Sequence, residues 1–389
     1  MTRDRIYFDN SATTPVDPRV AEEMKPFLLG ENYGNPSSLH TEGLLAHKAV
    51  EYSRMAVADL FGATADEVVF TASGTEADNM AILGVWEAFR GRPFHMITSA
   101  IEHPAILETC RYLERIGVAV TYIPVDHEGM ISLDHLASAF RPETRLVSIM
   151  AANNVVGTIQ PVREMARLTH ENGAVFHTDA VQAAGKIPLT LHDDAIDLLS
   201  LSAHKLYGPK GVGALIIREG TGLEPLIHGG GQEKGRRSAT ENVAGIVGLG
   251  KAVSLAAEEM IKEEKRLNDL RDQMVEGVEE SVKNAYLIGH RKRRLPGHVC
   301  LGLRQMEGEA MKMLLMLDEE GIAVSTGSAC SAHHAGEPSY ILTAMGFDPI
   351  QARGSLRITM GRFNTSDEVG IFLDMFPRIV RNLKPVSSL

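Results

Sequence analysis

Apolar residues recur along this chain in two alternating rhythms. Short, mostly apolar and β-branched runs at 67–71 (EVVFT), 95–99, 118–124, 145–150 (RLVSIM), 174–178, 197–202 and 213–217 read as buried strands. Between them, 76–90, 105–117 and 162–172 place apolar residues at helical spacing. This strand–helix alternation predicts an α/β architecture, a mostly parallel sheet with helices on both faces. In such sheets ligands bind beyond the carboxyl ends of the strands.

The rhythm changes after residue 242. Residues 243–283 read as one helix, with Leu267, Leu270, Met274 and Val278 on an apolar stripe and Glu258, Glu259, Lys262, Glu263, Glu264 and Lys265 on a solvated face. A domain change is expected within it: a large domain at 15–258, and a smaller α/β domain made of 1–14 and 259–389. No internal repeat or low-complexity stretch is visible.

Composition narrows the function classes. With 50 acidic against 39 basic residues the net charge is −11, whereas a nucleic-acid binder usually carries a basic surplus. Three cysteines in 389 residues do not make a disulfide scaffold and fit a reducing compartment. No apolar run reaches the roughly 18 residues that span a bilayer. The polar start MTRDRIYFDN lacks the apolar core of a secretory leader. A cytoplasmic protein without nucleic-acid or membrane partners is the expectation.

Three segments carry candidate chemistry. In Thr71-Ala72-Ser73-Gly74-Thr75-Glu76 a strand gives way to a helix, and Ser73 and Glu76 have capping-box spacing. Free N–H groups and the helix dipole make such a start an anion site, though a helix cap with no ligand is the plainer reading of that segment alone. Asp179, just past a strand in FHTDAVQ, is either a helix-capping carboxylate or the partner of a cofactor ring nitrogen. Lys205 lies in SLSAHKLYGPKG, after another strand. Most lysines are solubility charges, but a lysine able to form a Schiff base, an Asp after a strand and a phosphate-type helix start together describe a pyridoxal 5'-phosphate (PLP) site.

With these residues placed, the chain resembles the NifS/IscS-type cysteine desulfurases of the class V aminotransferase group, which have the PLP fold-type I architecture. The likeness runs from FDNSATTP at 8–15 to RITMGRF at 357–363, through GNPSS, EHP, Asn153-Asn154 and the Lys205 segment. HTDAVQAAGK, GPKGVG and GRRSATEN look closer to the NifS branch. The resemblance implies a large domain with a mostly parallel seven-stranded sheet between helices, plus a smaller C-terminal α/β domain. It implies that Lys205 holds the cofactor covalently, Asp179 pairs with the pyridine nitrogen, His103 stacks on the ring and serves as acid or base, and Gln182 contacts the ring hydroxyl. Thr75, Ser202 and His204, helped by the Gly74 backbone, would bind phosphate. Asn154 and Arg357 would hold the substrate carboxylate. Thr240 would reach the phosphate of a neighbouring subunit, so a homodimer is expected; Ser238 and Glu241 again have capping-box spacing at the start of the predicted helix.

The cysteines separate this group from ordinary aminotransferases. Cys110 and Cys300 read as core residues. Cys330 lies in a small, polar stretch, STGSACSAHHAG, and by the resemblance is the nucleophile on a mobile loop at about 325–337. The implied reaction converts L-cysteine and the Cys330 thiol into L-alanine and a Cys330 persulfide, which passes sulfur to an acceptor such as an iron–sulfur scaffold. No metal site is expected; Cys330, His333 and His334 have no second ligand cluster. Alternatives are a selenocysteine lyase or another class V PLP enzyme. Three departures stand out: Val155 where relatives commonly carry Glu, Thr343 where they usually carry Arg, and a Cys330 loop one residue longer.

Overall fold

The computed structural model describes residues 5–30, 32–326 and 337–383. Its centre is a seven-stranded sheet in the order Val68–Thr71, Gly213–Ile217, Leu198–Ser202, Val175–Asp179, Thr144–Ser148, His95–Ser99, Ala119–Ile123. Gly213–Ile217 runs antiparallel to both neighbours, and the other pairings are parallel. The expected strands are therefore all present. Most of them are buried along their whole length, which is why they read as continuous apolar runs.

Helices Gly74–Ala88, Pro104–Arg115 and Val162–Glu171 connect the strands. Beyond them, a four-stranded antiparallel sheet is built from Ser325–Thr326, Ser355–Thr359, His298–Leu303 and Ala285–Leu287. The helix expected at 243–283 is found as Val243–Ser281, 39 residues long. It serves two cores. Leu249, Ala252, Val253 and Ala256 pack with the large sheet's cluster. Leu267, Leu270, Met274 and Val278 pack with Val299, Leu301, Ile358 and Phe372 around the small sheet.

The N-terminal segment crosses between these regions. Ile6–Tyr7 pairs in parallel with Ile322–Ala323, and Ile6 and Phe8 belong to the small-sheet core. The chain then passes over the carboxyl ends of the large sheet before helix Pro18–Leu28. Asp17 anchors that turn. Its buried carboxylate accepts from Arg19 (2.8 Å) and Arg362 (2.6 Å), and both arginines also reach Glu259 on the long helix.

Cys110 and Cys300 are fully buried, as expected of core thiols, and burial pushes them up to about 12 and about 11. Val155 lies in an apolar cluster with Ile101, Ile288, Cys300 and Leu342. A carboxylate there would have to be desolvated, so the departure at this position is compensated by its surroundings. Thr343 sits on the outside of helix Tyr340–Ala344, where its hydroxyl donates to the Ser339 carbonyl (3.0 Å). Cys330 and its neighbours 327–336 lie outside the described residues.

Candidate active site

A cavity of ≈ 340 Å³ opens at the carboxyl ends of the central strands. Of the residues singled out in the sequence, Gly74, Thr75, His103, Asn154, Asp179, Gln182, Ser202, His204 and Lys205 all line it. Strand ends deliver several of them. Val175–Asp179 and Leu198–Ser202 finish on Asp179 and Ser202, and the 3₁₀ turn Ala203–Lys205 follows directly.

Two expected residues are not part of this wall. Arg357 is almost wholly buried behind it, donating to the Asn154 carbonyl (3.1 Å) and the Asp9 carboxylate (2.8 Å). Its Nε has no hydrogen-bond partner among the described residues. Thr240 is exposed and lines a different cavity with Thr71, Gly211 and Asn242. The capping expected from Ser238 and Glu241 is absent there, because the helix starts at Val243 and Asn242 caps it by accepting from Gly245 N (3.1 Å). The spacing had suggested a start four residues too early, since Ala239 has a φ of 156° that no helix can include.

The floor of the cavity is rich in buried titratable groups. Asp179 accepts from Val181 N (2.8 Å); burial raises its pKa, opposed by His103 and Lys205. Asp78, from the helix that follows Thr75, lines the same cavity and is 1 % exposed. Burial first, then the Asp179 charge, lifts it well above the usual carboxylate range, which favours its neutral form. Its Oδ1 lies 3.7 Å from His177 Nε2 and has no hydrogen-bond partner among the described residues. His177 bridges Ser148 Oγ (2.8 Å) and Ser200 Oγ (3.0 Å), and burial holds its pKa down to about 3. Glu102, beside His103 in the chain, is pushed up to about 8, chiefly by burial.

His103 caps helix Pro104–Arg115, its Nδ1 accepting from Ala105 N (3.1 Å). Burial lowers its pKa, so the ring is neutral with its proton on Nε2. At the opposite end, Ser73 Oγ accepts from Glu76 N (3.1 Å) as anticipated. The return bond of the expected capping box goes one residue further back, from Ala72 N to Glu76 Oε2 (2.8 Å). The helix thus opens at Gly74 and Thr75 with backbone N–H groups free to meet an anion. A Cβ on Gly74 would come within 2.7 Å of Val181 Cγ2, so only glycine lets the backbone approach here.

The Lys205 amine donates to the main-chain carbonyls of Ser11 (2.5 Å) and Ala12 (2.7 Å). His204 Nδ1 faces Thr13 Oγ1 (3.1 Å), and burial followed by the lysine charges holds its pKa down to about 4. Sequence reasoning did not assign roles to Ser11, Asp78 or His177. The last two were within reach: His177 is two residues before Asp179 on the same strand face, and Asp78 is one helical turn after Thr75. Ser11 contributes a carbonyl, which no side-chain pattern reports.

These donors fit PLP. One cavity holds an amine that could take the aldehyde, a buried carboxylate that could pair with a ring nitrogen, an imidazole that could stack on a ring, and hydroxyls with a helix start that could bind a phosphate. Fold and site together define a PLP-dependent enzyme of fold-type I. The chain belongs to the aminotransferase class-V family, whose sequence profile matches residues 6–372. It is 48% identical to the cysteine desulfurase IscS of Dictyoglomus turgidum, covering 98% of this chain and 96% of the relative. It is also 48% identical to the cysteine desulfurase IscS of Methanosarcina thermophila, covering 99% and 94%. Among solved structures, one described as a NifS-like protein superposes with a TM-score of 0.91 at 42% identity, covering 97% of this chain and all of that one.

Proposed function

We infer that the protein is a PLP-dependent cysteine desulfurase. It takes sulfur from L-cysteine, releases L-alanine and carries the sulfur as a persulfide on Cys330. The observation that carries this reading is the convergence of Lys205, Asp179 and the Gly74–Thr75 helix start in one cavity. The relatives named cysteine desulfurase support the choice within the family.

When bound, PLP supplies an electron-accepting ring that weakens first the Cα–H and then the C–S bond of the amino acid. The residues of the chain do the rest. Lys205 Nζ would hold the cofactor through its aldehyde and would move the proton at Cα, and Asp179 would keep the ring nitrogen protonated. His103 Nε2 faces the cavity as a proton holder for the substrate thiol. Asn154 and Arg357 are assigned the substrate carboxylate; Asn154 lines the cavity, whereas Arg357 stands behind it on Asp9 and the Asn154 carbonyl and reaches the carboxylate only by exchanging those partners. The Cys330 thiolate attacks the substrate sulfur.

The same reading includes a homodimer, supported by the exposure of Thr240 away from its own chain's cavity and by the exposed Leu28, Leu29, Tyr33 and Leu39. It includes a cytoplasmic setting, a sulfur acceptor protein of the iron–sulfur scaffold kind, and a division into a large unit (15–258) and a small one (1–14 with 259–389) carrying Cys330. The test is to supply L-cysteine to PLP-loaded protein and measure alanine and persulfide. Alanine is expected from wild type. Lys205→Ala should lose both alanine formation and the visible band of lysine-linked cofactor, and Cys330→Ala should keep the band and lose alanine. Wild-type protein that shows the band but forms no alanine would refute the desulfurase reading.

A further inference from the structure

Lys186 is a half-buried lysine that the mechanism leaves unused. It follows Gln182 by one turn in the tight bend after strand Val175–Asp179, where Ala184 N and Lys186 N donate to Ala180 O and Ala183 O. Gly185 has a φ of +65°, and a Cβ there would come within 2.6 Å of Leu206 and 2.8 Å of Ala256. This close packing aims Lys186 into a second, smaller cavity of ≈ 50 Å³ on the far side of the Ser11 segment. Lys205 lines both cavities.

We propose that Lys186 is a positioning residue for Gln182, fixing which end of its amide faces the cofactor. The proposal rests on the PLP reading above. Lys186 Nζ donates to Gln182 Oε1 (3.4 Å), and Gln182 Nε2 donates to Ser11 O (3.0 Å), the carbonyl that also accepts from Lys205. An amide is nearly symmetric in shape, so packing does not distinguish its two ends. Here an amine that in its protonated form can only donate meets the oxygen, and a carbonyl that can only accept meets the nitrogen. A flipped amide would set oxygen against oxygen and NH₂ against the amine. The orientation seen leaves the second N–H of Gln182 for the cavity, the right polarity for the ionised ring oxygen of PLP.

The groups around Lys186 are Lys205 and Tyr207 from the turn, Glu259, Glu263 and Glu264 from the long helix, His298 and Arg362. Burial, with Lys205 adding, brings the Lys186 amine down to about 7. Protonated, the amine can only donate; neutral, it keeps N–H groups to give to Oε1 while the Ser11 carbonyl still accepts from Nε2, so the orientation persists above neutrality.

The experiment titrates the visible band of lysine-linked cofactor from neutral to alkaline pH. Donation to the ionised ring oxygen favours the unprotonated form, so its loss makes the proton bind more tightly. Lys186→Met should move the midpoint upward by about half a unit, roughly threefold in proton affinity, as for one modest hydrogen bond. Lys186→Arg, which keeps a donor, should restore the wild-type midpoint. Gln182→Ala should give the same upward shift and abolish the response to Lys186→Met. An unchanged midpoint in Lys186→Met overturns the proposal, as does an equal shift in the Gln182→Ala background. Lys186→Leu, which also lacks a donor, carries the same test where Lys186→Met fails to fold. A wild-type protein without the band fails the cofactor reading itself, which is a different result.

Discussion

The two ends of the main cavity are built from opposite materials. At the floor, Asp179, Asp78 and His177 come from strands and a helix core, are almost fully buried, and have pKa values displaced by that burial. At the other end, Gly74 and Thr75 offer backbone N–H groups and a hydroxyl, with Thr75 exposed. A rigid, dry floor can set the protonation of a ring, because charge interactions there are weakly screened. A water-facing helix start can hold a phosphate but contributes little to proton chemistry. On the proposed function, one end would govern rate and the other retention.

The largest effect should come from the floor. Asp179→Asn, which cannot carry a charge, is expected to lower kcat by roughly 10²–10³-fold while cofactor stays bound, a pattern read by alanine formation at saturating PLP. If kcat instead fell less than PLP affinity, the contrast between the ends would fail. The complementary change, Ser73→Ala with Thr75→Val, should weaken cofactor retention roughly tenfold through the lost cap and hydroxyl, leaving kcat at saturating PLP within about twofold. Equilibrium dialysis of the lysine-linked cofactor reads this directly.

Much of this geometry was legible beforehand because it is local. The strand expected at 118–124 is found as Ala119–Ile123 and the helix expected at 76–90 as Gly74–Ala88, since each carries its own apolar period. Sheet order was not legible: nothing local tells Gly213–Ile217 to insert antiparallel between Val68–Thr71 and Leu198–Ser202, which lie 130 residues apart in the chain, judged by Val68 and Leu198. In the site, Lys205 and Asp179 were visible as side chains after strands. The carbonyls of Ser11 and Ala12 that hold the Lys205 amine were not, because every residue has a carbonyl and only tertiary structure selects these two. Thr240 and Arg357 came from resemblance, and their settings could be seen only in three dimensions.

A smaller effect sharpens the account of the floor. Burial favours the neutral form of Asp78, so Asp78→Asn should change kcat by no more than about threefold, whereas Asp78→Leu, which removes every polar atom, should lower it further. A large loss in Asp78→Asn would mean that the group must ionise. The smallest effect lies outside both ends, at Asp17. Arg19 first, helped by Arg362, holds its carboxylate well below the ordinary value of 3.8. A depressed acid adds stability that is full above that value and is lost as pH falls through the folded-state value. Denaturation of Asp17→Asn against wild type should show the gap at neutral pH and its closure in strong acid; a gap unchanged by acid would contradict the ionised pairing.

The strand at Ile6–Tyr7 has a consequence for biosynthesis. It leaves the ribosome long before Ile322–Ala323, the parallel neighbour it needs. Until then, the carbonyls a few residues further on have no fixed place, and the amine they grip is unrestrained. The nascent chain thus carries a formed large sheet and an unfinished catalytic chamber through most of translation. On the proposed function, competence for the cofactor would wait until that distant neighbour has emerged.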